Sequence, residues 1–296
     1  VVTLSTTDPS FNIINGQFAG NDGTLYAGEE LTGQFIFTSD HNASLGDIPF
    51  NIHFDAILEN GSSYENDVEL WISLSLDLFG FPIEGVNVQG GTIITDLDGN
   101  TFNEIYYGSD SVVYGKWMGG LDVNGFPFDA GAEISTSISS GDLDGDGDKE
   151  VVFGTSNGVV YALTKTGTVH MSYQQEDHIV DVPVLSDLDQ DGDMEVIFIS
   201  SSDSSSTLYA LHDTGDNVTG FPVIFSESIA ACPSIADLNN NMVLDIVIVT
   251  LNGNVYVVEA TGMYSTFSPL SIDDSFSSPA TIVDLDGDQD LEIIIG

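Results

Sequence analysis

Five short stretches of this chain place oxygen-bearing side chains at every other position, the spacing a hard divalent cation requires. Three have the full form: Asp142, Asp144, Asp146, Asp148 and Glu150; Asp187, Asp189, Asp191, Asp193 and Glu195; and Asp284, Asp286, Asp288, Asp290 and Glu292. Carboxylates at positions 1, 3 and 5 of such a nonapeptide converge when the chain curls, and a glycine at position 4 or 6 eases the curl. The main-chain carbonyl at position 7 and the acid at position 9 complete an all-oxygen shell of about six or seven donors, which suits Ca²⁺ better than the smaller, octahedral Mg²⁺. The stretches hold no thiol or imidazole, so softer or imidazole-binding metals lack suitable ligands. Solvated turns on an acidic surface would also cluster aspartates. Five carboxylates within nine residues, however, repel one another severely without a cation. An EF-hand would need its bidentate acid at position 12 and flanking helices; here position 9 is acidic and a β-type run follows.

Two further stretches depart from the pattern. In one, Asp96, Asp98 and Glu104 keep the charges, Asn100 offers a carbonyl oxygen at position 5, and Phe102 stands at the main-chain position. In the other, Asp237 and Asp245 are the only acids, with Asn239 and Asn241 between them and Val243 at position 7. Ca²⁺ is expected in the first and, more weakly, in the second.

The elements that carry these loops must recur with them. Their first aspartates are separated by 46, 45, 50 and 47 residues, and Tyr114, Tyr161, Tyr209 and Tyr256 follow in step at 47, 48 and 47. A Gly-Phe-Pro marker at Gly80, Gly125 and Gly220 keeps the same phase. After the Asp142 loop, Val151 to Gly154 and Val159 to Leu163 flank Asn157-Gly158, and Asn252-Gly253 repeats the pattern. An Asn-Gly pair between β-branched runs predicts a hairpin with a type I′ turn, both central residues at positive φ. Roughly four short strands per repeat is the size of a propeller blade, and no segment sustains a helical period. The predicted fold is all-β: an N-terminal antiparallel β-sandwich over 1–78, then over 79–296 a partial β-propeller of four-stranded blades with Ca-binding loops. Four blades and the start of a fifth are counted. The break at Ile293 to Gly296 reads as further blades missing, leaving a sheet edge open to a strand from another copy of the chain.

Residues 1–78 lack the loop and the period. Alternation in Gln34 to Phe37, Phe50 to Phe54 and Leu70 to Leu76 predicts sandwich strands, with turns at Asn21-Asp22-Gly23, Leu45-Gly46-Asp47 and Asn60-Gly61-Ser62.

The 296 residues carry 47 acids against three lysines and no arginine, for a formal net charge of −44. Such a surface repels phosphate backbones and anionic lipid, which excludes nucleic-acid and membrane-surface partners. Under half of the acids lie in the five loops, and the remainder fits a secreted protein of saline surroundings. No apolar stretch is long enough for membrane insertion, and a start at Val1 without a signal pattern reads as a mature or excised piece. Cys232, the single cysteine, sits in an apolar run and reads as a small buried hydrophobe. The five histidines are scattered, and Trp71 and Trp117 read as packing residues.

From 142 to 154 the text Asp-Leu-Asp-Gly-Asp-Gly-Asp-Lys-Glu-Val-Val-Phe-Gly resembles the FG-GAP/VCBS repeat family, the calcium-binding propeller blades of integrin α-subunits and of many secreted bacterial proteins. The resemblance covers about residues 80–296. It implies loop ligands at positions 1, 3, 5, 7 and 9 and a structural role for the ion. Gly20 to Glu29, with Asn21-Asp22-Gly23 and Gly28-Glu29, is similar to a segment of CARDB-type sandwich modules, which often accompany propellers behind a secreted peptidase.

Gly-x-Ser-x-Gly, His-Glu-x-x-His and phosphate-cradling motifs are missing from the sequence, so no catalytic residue and no enzyme is expected. The expected function is a non-catalytic, extracellular or cell-surface, calcium-binding module for adhesion or assembly, bacterial in origin. Its partner would be a surface protein or glycan, or further copies of itself as a filament. Two alternatives stay open: the accessory C-terminal region of a secreted bacterial peptidase, and a carbohydrate-binding propeller.

Overall fold

In a computed structural model of the chain, residues 1–18, 33–39, 46–74, 81–229, 231–266, 268–272 and 274–296 are described. The Gly20 to Glu29 segment, His41, Asn42, Gly80 and the end of the Leu70 to Leu76 run therefore lie outside the described residues. Two compact units divide the chain, Val1–Leu78 and Phe79–Gly296. Among the described residues there is no helix.

In the first unit β1 (Val2–Ser5), β3 (Gln17–Phe18), β5 (Gly46–Ile57) and β6 (Ser63–Leu74) form one antiparallel sheet in the order β3-β1-β5-β6. A second sheet pairs β2 (Phe11–Asn15) with β4 (Ile36–Ser39). Alternate residues point to opposite faces of a strand, so Leu4, Ile48 and Phe50 turn inward against Phe11, Ile13 and Phe37 of the other sheet. The rings of Phe11, Phe37 and Phe50 meet at centroid distances of 5.0 to 5.9 Å. Trp71 does not join this core: it is 56% exposed, because its parity on β6 puts it opposite the inward face. Gly46 and Asp47, expected in a turn, instead open β5.

The second unit repeats one motif. Its strands are β7 (Val88–Thr95), β8 (Glu104–Ser109), β9 (Val112–Trp117) and β10 (Phe128–Asp129) in the first sheet; β11 (Ser139–Gly141), β12 (Glu150–Gly154), β13 (Val159–Leu163) and β14 (Val169–Gln174) in the second. The third holds β15 (His178–Ser186), β16 (Glu195–Ser201), β17 (Ser206–Leu211) and β18 (Val223–Phe225), and the fourth β19 (Ser234–Ala236), β20 (Asp245–Val249), β21 (Asn254–Glu259) and β22 (Leu270–Ser271). A fifth pairs β23 (Thr281–Val283) with β24 (Glu292–Ile294). Each four-stranded sheet is an antiparallel meander in chain order.

The second strands of the second, third and fourth sheets are apolar on both faces, and the structure shows why. On β12, Val151 and Phe153 pack toward the first sheet while Val152 packs toward the third. On β16, Val196 and Phe198 face back and Ile197 and Ile199 face forward; on β20, Ile246 and Ile248 face back and Val247 and Val249 forward. Consecutive sheets thus share a core, and each buried side chain contributes about 1.5–3 kcal/mol. The periodic tyrosines lie on the third strands. Tyr114, Tyr161 and Tyr209 stack on their cross-strand partners Tyr107, Phe153 and Phe198 at 4.9 to 5.5 Å.

The Asn-Gly hairpins form, but not with type I′ turns. Thr155 N–H donates to Val159 O (2.9 Å), Gly158 N–H donates to Thr155 O (3.0 Å), and of the central pair only Gly158 has positive φ. This is a type I turn closed by a left-handed glycine, repeated at Thr250 to Asn254. The threonine decides the difference: its Oγ1 accepts the N–H of Val159, and likewise Thr250 that of Asn254, both at 3.1 Å, which favours the wider loop.

The glycine of Gly-Phe-Pro has a tertiary role. Gly125 and Gly220 adopt φ of +90° and +99°, and a Cβ on either would fall 1.8 or 1.9 Å from the carbonyl oxygen of Thr166 or Thr261 in the following sheet. Backbone therefore meets backbone at these two sheet junctions, and only glycine fits.

Candidate metal centres

All five acidic loops join the first strand of a sheet to its second, so the repeat brings them to equivalent places. Each is curled by its own hydrogen bonds. The leucine at position 2 is buried in the first three loops, with Leu97, Leu143 and Leu188 at most 1% exposed. Its N–H donates to the ninth-position carboxylate: Leu97 to Glu104 Oε2 (3.0 Å), Leu143 to Glu150 Oε2 (3.1 Å), Leu188 to Glu195 Oε2 (2.6 Å), Leu238 to Asp245 Oδ2 (3.1 Å) and Leu285 to Glu292 Oε2 (2.7 Å). At position 7, the N–H groups of Phe102, Asp148, Asp193, Val243 and Asp290 donate to the side-chain oxygens of Asn100, Asp146, Asp191, Asn241 and Asp288 at 2.7 to 3.1 Å. In four loops the first aspartate also accepts the N–H of position 6, from Thr101, Gly147, Met242 and Gln289.

These bonds gather part of each expected ligand set. Asp96, Asp98 and Glu104 bring carboxylate oxygens within 4.8 Å of one another, as do Asp142, Asp144 and Glu150, and Asp284, Asp286 and Glu292. Asp146 and Asp288 stay outside those groups, and Asp148 turns away to an ion pair with Lys165, leaving position 7 its main-chain oxygen. The third loop assembles differently: Asp189, Asp191 and Glu195 converge, Asp187 does not, and His212 supplies the fourth corner. The sequence reading that imidazole ligands are missing is thereby corrected, because His212 arrives from the turn after β17.

Burial makes three of the loops electrostatically incomplete. Glu104, Glu150 and Glu195 are 1%, 3% and 0% exposed. Burial pushes each of these carboxyls above the usual glutamate range, partly opposed by the leucine N–H and reinforced by nearby aspartates. Glu104 Oε1, Asp142 Oδ1, Asp187 Oδ1 and Glu195 Oε1 are buried and accept no hydrogen bond. An unpartnered buried carboxylate oxygen costs several kcal/mol, which a cation at the same point would remove. The donor set, all oxygen in the first two loops, fits Ca²⁺.

The fourth loop also buries its ninth acid: Asp245 is 3% exposed, and burial pushes its carboxyl above the usual range. Asn239 Nδ2 donates to Asp245 Oδ2 (3.2 Å), Asp237 accepts the N–H groups of Asn241 and Met242, and no group of three ligating acids or histidines forms there. The Asn239 side-chain amide thus contributes a second hydrogen bond to the ninth-position carboxylate.

Adjacent loops also touch. Lys149 N–H donates to Leu97 O (3.1 Å), Gln190 Nε2 donates to Met242 O, and Asn240 Nδ2 donates to Gln289 O (3.4 Å). Carboxylate clusters are therefore held side by side with little cationic relief. Lys116 pairs with Asp122 at 2.6 Å, Lys165 with Asp148, and Lys149 Nζ donates to Thr95 Oγ1.

Two residues outside the loops had no signal in local spacing. His212 is one. Glu227 is the other, a buried carboxylate accepting hydrogen bonds from Thr250, Asn252, Asn254 and Tyr256 across the β20–β21 hairpin. Burial raises its pKa, but these donors outweigh burial and hold it below the usual range. Cys232 is half-buried, and burial with the nearby Asp181 pushes its thiol up to about 12, far from thiolate chemistry.

Residues 187–248 match the model of a family described as FG-GAP-like repeat. This stretch is similar to an FG-GAP-like repeat. It runs from the first acid of the third loop into β20, one period of the sheet motif and the acidic loop of the next. No curated protein matches the chain. Similar solved structures include the C-terminal domain of Pseudomonas aeruginosa PilY1, with TM-score 0.52 and 16% identity over 67% of this chain and 52% of that one. BamB from Moraxella catarrhalis gives 0.47 and 17% over 70% and 57%. The V. cholerae biofilm matrix protein Bap1 gives 0.49 and 16% over 70% and 35%. At these identities the likeness concerns fold, and the fold is propeller-like. The chain spans little more than half the length of the BamB and PilY1 chains.

Proposed function

We propose that this chain is a non-catalytic calcium-binding module that works outside the cell and presents its propeller-like sheets for adhesion or assembly. The observation that carries the calcium reading is the set of buried carboxylate oxygens that accept no hydrogen bond, at position 1 or 9 of the loops in the first three sheets. Bound Ca²⁺ supplies the missing positive charge and oxygen coordination there. The chain's own residues turn that into stability. The ninth acid is the first residue of a sheet's second strand and the second-position leucine lies in a core between sheets, so drawing the acids together fastens loop, strand and core at once. Affinity for the folded state alone becomes folding free energy.

Calcium sites of extracellular modules work at about 0.1–1 mM, and the chain's charge of −44 keeps it from nucleic acid and anionic membranes. A surface protein or glycan is the partner this reading favours. Calorimetric titration of the chelator-treated chain should show calcium uptake in the first, second, third and fifth loops and a raised melting temperature. Absence of both in millimolar calcium would refute the reading.

A further inference from the structure

The third loop is built unlike its neighbours. The residue opposite the ninth acid across the hairpin is Trp117 in the first sheet and Glu259 in the fourth, while in the third it is His212, one step past the Val196↔Leu211 pair. The backbone of His212 is pinned by its turn, its N–H donating to Asp216 O (3.0 Å) and its carbonyl accepting from Gly215 (2.9 Å). Its ring, about a quarter exposed, sets Nδ1 3.3 Å from Glu195 Oε1 and Nε2 4.0 Å from Asp189 Oδ2.

Glu195 is the independent sign of a ligand. Its carboxylate is 0% exposed, its Oε2 is taken by Leu188 N–H, and its buried Oε1 accepts no hydrogen bond and has the His212 imidazole beside it at 3.3 Å. Asp187 lacks the position-6 hydrogen bond that the first aspartate makes in the other four loops, and the converging group in the third loop is Asp189, Asp191, Glu195 and His212. Ligand atoms around an ion with bonds of about 2.0–2.2 Å in a tetrahedral shell are roughly 3.3–3.5 Å apart. The imidazole and Glu195 Oε1 already have that separation.

We infer that the third loop is a mixed oxygen–nitrogen site for a borderline divalent transition ion of the zinc type, held by Asp189, Asp191, Glu195 and His212. An imidazole nitrogen adds little for hard Ca²⁺ but binds first-row transition ions strongly, and it raises their affinity above calcium's at this loop alone. The inference rests on the reading that these loops bind cations and adds that one of them differs in which cation it takes.

The test uses the full chain, stripped of metal, brought to millimolar Ca²⁺ and titrated with Zn²⁺ calorimetrically. One equivalent of Zn²⁺ should bind in the presence of calcium. His212→Gln should weaken it about tenfold or more and leave calcium uptake by the other loops unchanged. His170→Gln, whose Nε2 lies 3.8 Å from Asp213, should leave zinc binding as it was. Pulsed electron paramagnetic resonance of the wild type with Mn²⁺ should show coupling to an imidazole nitrogen, a readout that needs no variant to fold. Equal Zn²⁺ affinity in His212→Gln, no Zn²⁺ uptake over calcium, or no nitrogen coupling would overturn the inference and leave His212 as a counter-ion of the acids. Zinc binding without any calcium uptake would instead overturn the calcium reading of the other loops.

Discussion

Replacing Glu150 with Gln should stabilise the metal-free chain and shrink the stability that calcium adds. The carboxylate is 3% exposed, opens β12 opposite Gly141, and takes one N–H from Leu143 at 3.1 Å. Beside it, Asp142 Oδ1 is buried without a partner. Without metal, Glu150→Gln removes a poorly solvated charge, keeps an oxygen for Leu143 and adds an amide donor toward Asp142. Satisfying such a group is worth about 1–3 kcal/mol, so the metal-free variant should melt higher than the wild type. With metal, the same change removes a charged ligand. If affinity falls about 100-fold at a calcium level of 100 times the original Kd, the binding contribution lost is roughly 2.3 kcal/mol. At about 2–4 °C per kcal/mol for a unit of this size, the calcium-induced rise in Tm should shrink by roughly 5–10 °C. Calorimetric scans of both proteins, with chelator and with calcium, measure the four values needed. An equal calcium-induced rise would show that Glu150 ligates nothing.

Further outcomes follow from the same geometry. Gly125→Ala should destabilise the second unit by at least about 2 kcal/mol through a backbone clash at positive φ. Gly131→Ala, at φ +73° with nothing within 4 Å, should cost about 1–2 kcal/mol; denaturant unfolding separates them, and equal losses would remove the sheet-junction role of Gly125. Glu227 has its carboxyl held below the usual range, so its contribution is present above the ordinary value of 4.5 and is lost as pH falls through the folded value. Glu227→Gln should flatten that acid limb of the Tm profile, and an unchanged profile would contradict the hydrogen-bond assignment. In the fourth loop, Asn239→Asp removes the amide that hydrogen-bonds Asp245, so the variant should be less stable in chelator and should gain one calcium equivalent by titration.

Much of this chain was legible as text because the relevant physics is local. A nonapeptide with acids at odd positions curls on hydrogen bonds between neighbours, and the structure keeps the same bonds in loop after loop. Strands of the second unit were readable from β-branched runs, and their doubly apolar second strands follow from being sandwiched between sheets. The hairpin turn was misread because the deciding atom is a threonine hydroxyl two residues before the asparagine. Trp71 was misread because its facing depends on a register that spacing alone did not provide.

Sequence alone determined the all-β repeat, the oxygen chemistry of the loops and the extreme surface charge, each written in residues close together along the chain. Tertiary structure decided which carboxylates converge, that Asn239 hydrogen-bonds Asp245 in the fourth loop, and that His212 lies beside the acids of the third. It also decided that Gly125 and Gly220 are contact points between sheets. Those outcomes depend on cross-strand register and on one sheet lying against the next, and neighbours made in that way leave no mark in the spacing of either partner.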